Sequence, residues 1–174
     1  MTNDWYMLTI VGTDKPGIVA KITQSLFKAN CQLGEASMIR LGGNFTVMLM
    51  VSADADKTDL ESLLQPVCEN FQLKFHLDAI QSKLHDHPTP EVLITVSGAD
   101  RPGIVAQVTD VLFNAGLDIL DLTSDVAGTQ EKPIYIMQIE GVPLQGIKAL
   151  EESVRPLLSC NIDVQIKPID ILVG

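Results

Sequence analysis

The chain has 174 residues, 46% of them hydrophobic, and a formal net charge of −10 from 12 Lys and Arg against 22 Asp and Glu. That composition belongs to a folding globular protein, and its acidity opposes a direct role on nucleic acid, where clustered cations must displace counterions. Met1-Thr2-Asn3-Asp4 lacks a secretory pattern and no apolar run reaches membrane-spanning length, so the expected location is the cytoplasm, with no membrane contact.

Trp5 to Val11 is apolar and β-prone and reads as a first strand ended by Gly12. A helix follows through Ala29, with Pro16 suited to an early helical position and Ile18, Val19, Ile22, Leu26 and Phe27 recurring at three- and four-residue spacing. Leu33 to Leu41 and Phe45 to Val51 are strands joined by Gly42-Gly43-Asn44, a hairpin turn sequence. The return strand is apolar on both faces apart from Thr46, which predicts a sheet with neither face fully open to water. Lys57 to Asn70 is helical, with Leu60, Leu63, Leu64, Val67 and Cys68 in phase, and Leu73 to Ala79 alternates as a half-exposed strand.

Residues 84–90 hold two prolines and break every period, so they read as a linker between domains 1–83 and 91–174. Within it, His85 and His87 flank Asp86, too few ligands for a tetrahedral metal site. Cys31, Cys68 and Cys160 are odd in number and lack a C-x-x-C pair, so neither a disulfide framework nor a metal centre is indicated.

The second half repeats the plan. Glu91 to Ser97 is a strand, Pro102 to Ala115 a helix with Ile104, Val105, Val108, Val111, Leu112 and Phe113 inward, and Gly116 its stop. Ile119 to Val126 and Ile134 to Ile139 are strands joined by a longer turn over Ala127 to Pro133. Leu144 to Leu158 reads as one helix, and Ile162 to Ile166 as the last strand.

One stretch occurs twice. Val11-Gly12-Thr13-Asp14-Lys15-Pro16-Gly17-Ile18-Val19 returns as Ser97-Gly98-Ala99-Asp100-Arg101-Pro102-Gly103-Ile104-Val105, each copy turning a strand into a helix. With right-handed crossovers, βαββαβ in each half gives an α+β fold of two ferredoxin-like domains, each an antiparallel sheet with both helices on one face. The first and third strands are then central, and the bare sheet face or a sheet edge is left to pack on another unit.

The motif Asp14-Lys15-Pro16-Gly17-Ile18-Val19 and its copy, placed between the first strand and first helix of a βαββαβ unit, resemble the ACT domain, a small-molecule sensing module that typically binds amino acids. Two such units with no catalytic domain resemble the glycine cleavage system transcriptional repressor family. The resemblance implies a non-enzymatic, amino-acid-responsive regulator of transcription, with glycine as effector. It would work through a DNA-binding activator protein, as a homo-oligomer. The residues support this in their own right: a turn glycine lets a ligand approach the backbone, and the unpaired N–H groups of the next helix attract a carboxylate.

The candidate ligand residues are therefore Asp14, Lys15, Pro16, Gly17 and Ile18, with Asp100, Arg101, Pro102, Gly103 and Ile104 in the copy. The resemblance adds the start of the second strand, often from another ACT unit: Asn30 and Gln32 in the first half, Gly116 and Asp118 in the second. Gln32 offers a neutral amide and Asp118 a charge, so the two sites are expected to be unequal. The same residues have structural readings: Asp14 and Asp100 as helix caps, Asn30 and Gly116 as helix stops. Two other functions fit the pattern: a ligand-free assembly module, and an acylphosphatase-like enzyme in which Lys15 or Arg101 would act with Asn30. Cys31, beside the site, would make a redox switch if its thiol were acidic.

Overall fold

The computed structural model describes residues 4–53, 57–80, 88–129 and 131–169, in two compact units, Met1–Asp86 and His87–Gly174. Of the expected linker, residues 84–87, with His85 and His87, lie outside the described residues, and 88–90 carry no regular secondary structure. The first unit runs β1 (Asp4–Thr13), α1 (Ile18–Lys28), β2 (Gln32–Leu41), β3 (Asn44–Ala53), α2 (Lys57–Phe71) and β4 (Lys74–Ile80). The second runs β5 (Val92–Ala99), α3 (Ile104–Asn114), β6 (Leu117–Thr129), β7 (Lys132–Pro143), α4 (Ile147–Ser153), α5 (Arg155–Leu158) and β8 (Ile162–Pro168).

Each unit is a four-stranded antiparallel sheet, ordered β2-β3-β1-β4 and β6-β7-β5-β8, so the first and third strands are central as expected. The most apolar strands occupy those central places because they lose water on both edges and at least one face. Tyr6, Leu8 and Ile10 of β1 and Val47, Leu49 and Val51 of β3 meet Ile18, Ile22 and Leu26 of α1 and Leu60, Leu64 and Cys68 of α2. Val92, Ile94 and Val96 of β5, with Met137 and Ile139 of β7, do the same for the second unit. Each such side chain, fully buried, is worth about 1.5–3 kcal/mol, so the core alternation carries each unit. On the other face of β3, Met50 and Ser52 are buried whereas Met48 is exposed, so that face is closed only in part.

Four local expectations are corrected. Pro16 lies in the turn, and α1 begins at Ile18, because Gly17 at φ 90° reverses the chain before the first helical residue. Phe27 and Phe113 are 80% and 71% exposed, since the buried arc of each first helix is narrower than its apolar spacing allows. The turn between β6 and β7 is short, because pairing continues to Thr129↔Lys132. The helix expected over 144–158 starts at Ile147 and divides at Val154 into α4 and α5, where Pro156 has no N–H to continue the ladder.

Candidate functional site

The twin turns are built by the same local physics. Gly17 has φ 90° and ψ −2°, and Gly103 φ 89° and ψ −3°, a left-handed conformation that L side chains rarely adopt. Among the described residues, no atom beyond the chain neighbours lies within 4 Å of where a Cβ would stand on either glycine, so the backbone is open to approach from outside. The first helical bonds run from Lys21 N–H to Gly17 O (3.0 Å) and from Gln107 N–H to Gly103 O (2.9 Å). Ile104 N–H makes a long turn bond to Arg101 O (3.4 Å), and the other N–H groups at the start of each helix precede the ladder and give each turn a positive end.

Each turn is tied to the neighbouring hairpin. Asp14 N–H donates to Gly43 O (3.0 Å) and Asp100 N–H to Pro133 O (3.4 Å). Neither aspartate caps its helix, since both N-caps are glycines without a side-chain bond. Instead Asp14 Oδ2 pairs with Arg40 Nε at 3.1 Å. Lys15 is turned away from the opening: its Nζ donates to Phe71 O (3.1 Å) and Gln72 Oε1 (3.3 Å), holding the C-terminal end of α2, where a cation is favoured. Arg101 folds back on its own helix, donating to Gln107 Oε1 at 3.0 Å. Ile18 and Ile104 are buried, so they belong to the core and offer a ligand only their backbone.

The residues named at the start of the second strand do not join the turn of their own unit. Thr13 pairs with Asn44, whereas Gln32 pairs with Ser52, eight residues further along β3. The separation along the sheet is about 27 Å. In the second unit Ala99 pairs with Ile134 and Asp118 with Val142, again eight residues apart. Asn30 lies at the far end of α1 from Gly17, beyond about 17 Å of helix. It ends that helix: at φ 57° its N–H donates to Phe27 O, and Cys31 N–H donates to Leu26 O, the paired bonds of a Schellman motif. Gly116 at φ 82° ends α3 in the same place. Lys15 and Asn30 are thus too far apart for the acyl-phosphate arrangement.

Sequence reasoning missed Arg40. It lies on a strand with no motif of its own, and only the pairing of the hairpin carries it to Asp14. It also missed a groove of about 490 Å³ between α1 and the edge strand β2, lined by Ala20, Lys21, Thr23, Gln24, Phe27 and Leu33. A second groove, of about 410 Å³, opens at the turn end of the second sheet, lined by Ser97, Gly98, Ile134, Asn161, Ile162 and Asp163 among others. Among the described residues no cluster of His, Cys, Asp or Glu could hold a metal ion, and no helix is long and apolar enough to cross a membrane.

Burial raises the thiol pKa of Cys31 and of Cys68, which opposes the redox reading of Cys31 because less thiolate is present at any given pH. Cys160 is exposed. Iodoacetamide at pH 8 is expected to alkylate Cys160 first, with Cys31 and Cys68 lagging, as followed by peptide mass spectrometry. Faster labelling of Cys31 would restore the redox reading.

The ACT domain family profile matches residues 6–78 and again 91–159. The chain is 24% identical over 121 residues to the glycine cleavage system transcriptional repressor of Escherichia coli, across 69% of this chain and 64% of that protein. It thus spans less than two thirds of that relative's length. It is 31% identical over 65 residues to a UPF0237 protein of Methanosarcina mazei, across 37% of this chain and 71% of that one. Among solved structures, an unknown protein from Galdieria sulphuraria superposes with a TM-score of 0.79 at 21% identity, over 97% of this chain and 100% of that one. A candidate glycine cleavage system transcriptional repressor gives 0.70 at 16%, over 98% and 100%. At these identities the structural likeness shows the fold.

Proposed function

The chain belongs to the ACT domain family, and on that premise we propose that it is a non-enzymatic regulator whose interactions depend on an amino acid held at its strand-to-helix turns. The observation that carries this is the pair of left-handed glycines, Gly17 and Gly103, each with open space before it and the positive end of a helix behind it. An α-carboxylate suits that place. The name borne by the curated relative adds the finer reading, transcriptional repression of the glycine cleavage system; to this we add glycine as the effector and the cytoplasm as the place of action. A chain with net charge −10 suits action through a DNA-binding activator protein rather than on DNA itself. For such an effect the amino acid must favour one arrangement of the protein over another, since equal affinity shifts nothing.

Asn30, Gln32 and Asp118 enter this reading only from a second ACT unit. Because Gln32 is about 27 Å from its own turn, a site that includes it draws the β2 start from an ACT unit of a second chain. Phe27, Leu33 and the free edge of β2 offer an apolar strip for that contact, which supports a homo-oligomer and gives the assembly reading its specific observation.

Isothermal titration of the full chain with glycine, serine and alanine tests the proposal, and saturable heat with at least one of them is expected. Absence of binding by all three to the folded chain would leave assembly as the better reading. In that case Phe27→Ser would change the sedimentation of the protein without any small molecule present.

A further inference from the structure

The turn of the first unit is faced by a cation that the repeat does not copy. Strand register fixes the correspondence: Arg40 opposes Phe45, which opposes Gly12, whereas Val126 opposes Tyr135, which opposes Gly98. Val126 therefore stands in the second unit where Arg40 stands in the first. Asp14 is paired with Arg40, and Asp100 has no ion pair among the described residues.

The pair has the form of a receptor as well as a clasp. The ion pair runs from Nε of Arg40 to Oδ2 of Asp14, at the side of the guanidinium. The Arg40 side chain is 68% exposed and that of Asp14 29%, so the pair is reachable from solvent. Gly17, three residues beyond Asp14, leaves the adjoining space empty of side chain.

Resting on the amino-acid reading above, we propose that Arg40 and Asp14 are the specificity residues of the first unit, together receiving the zwitterion of a small α-amino acid. The carboxylate, seated at the start of α1, also takes the planar fork of Arg40, which suits two parallel hydrogen bonds. The ammonium takes the Asp14 carboxylate, and a small side chain lies against Gly17. An exposed ion pair holds little net energy, so admitting the ligand sacrifices little, and its two charges replace both pairings. The second unit, with Val126, lacks the carboxylate fork and binds amino acids more weakly.

Titration of the full chain with glycine, N-acetylglycine and glycinamide tests this, in wild type, Arg40→Val and Arg40→Lys. Glycine is expected to bind the wild type, and both derivatives, each missing one charge, to bind at least about tenfold more weakly. Arg40→Val is expected to lose about tenfold or more in glycine affinity with an unchanged circular dichroism spectrum. Arg40→Lys, which keeps the charge without the fork, should fall between, and it carries the test if Arg40→Val does not fold. Equal glycine affinity in wild type and variants, even with lowered thermal stability, would overturn the inference and leave Arg40 as a clasp for the hairpin. Loss of all binding in the wild type would overturn the amino-acid reading itself, and Arg40's role with it.

Discussion

Gly141→Ala is expected to destabilise the second unit by roughly 3 kcal/mol or more, an overpacking effect with no soft neighbour to absorb it. A Cβ there would run into the Asp118 carbonyl oxygen and come within 3.1 Å of Leu117 Cδ1. Neither strand can give way easily. Gly141 pairs with Val92 on one side and Ile119 on the other, and its carbonyl accepts from Glu91 N–H at 2.9 Å. The matching residue of the first unit is Val51, which opposes Tyr6 and Leu33 and is fully buried. A register shift adjoins the matched residue in both hairpins, between Leu33 and Ala36 in the first and between Ile119 and Asp121 in the second, and at the second the Asp118 carbonyl takes up the space a side chain would need. Urea unfolding followed by far-UV circular dichroism checks this, and an unchanged midpoint would contradict the geometry.

Gly17→Val is expected to cost about 2 kcal/mol and to abolish glycine binding at the first turn. Its cost is conformational rather than steric crowding, since a Cβ at Gly17 meets nothing within 4 Å. A β-branched residue cannot sit at φ 90°, so the turn must rebuild, and the N–H groups of Ile18 and Val19 lose their aim. Gly17→Asn separates the two effects. Asparagine tolerates the left-handed region, so its stability should stay closer to wild type while its side chain occupies the space before the turn. Thermal denaturation and glycine titration of both variants read the two effects apart. A valine variant as stable as wild type would mean that this turn does not need a positive φ.

Much of the fold was legible because its signals are local. The order βαββαβ, the repeat and the central place of the apolar strands follow from periodicity and from the water that central strands lose. The misreadings have two causes, the influence of distant neighbours on a local pattern and a proline or glycine that interrupts one. Phe27 and Phe113 have helical spacing but fall outside the arc that the sheet can cover. The helix over 144–158 has continuous apolar phase, yet the missing donor of Pro156 divides it. Of the candidate site, the turn was legible and its partners were not. Lys15 stands in the motif but holds α2, whereas Arg40 stands outside it and meets Asp14.

The sequence by itself determined the two turns: a glycine after Asp-Lys-Pro or Asp-Arg-Pro, between a strand and a helix, can take the left-handed conformation that exposes the helix start. That is a property of three or four consecutive residues and needs no tertiary information. Only the tertiary structure decided what faces each turn. Strand register sets which hairpin residue stands beside the aspartate, bringing Arg40 to the first turn and Val126 to the second. The same register carries Gln32 and Asp118 about 27 Å away, because a strand that returns after a full helix begins at the opposite end of the sheet.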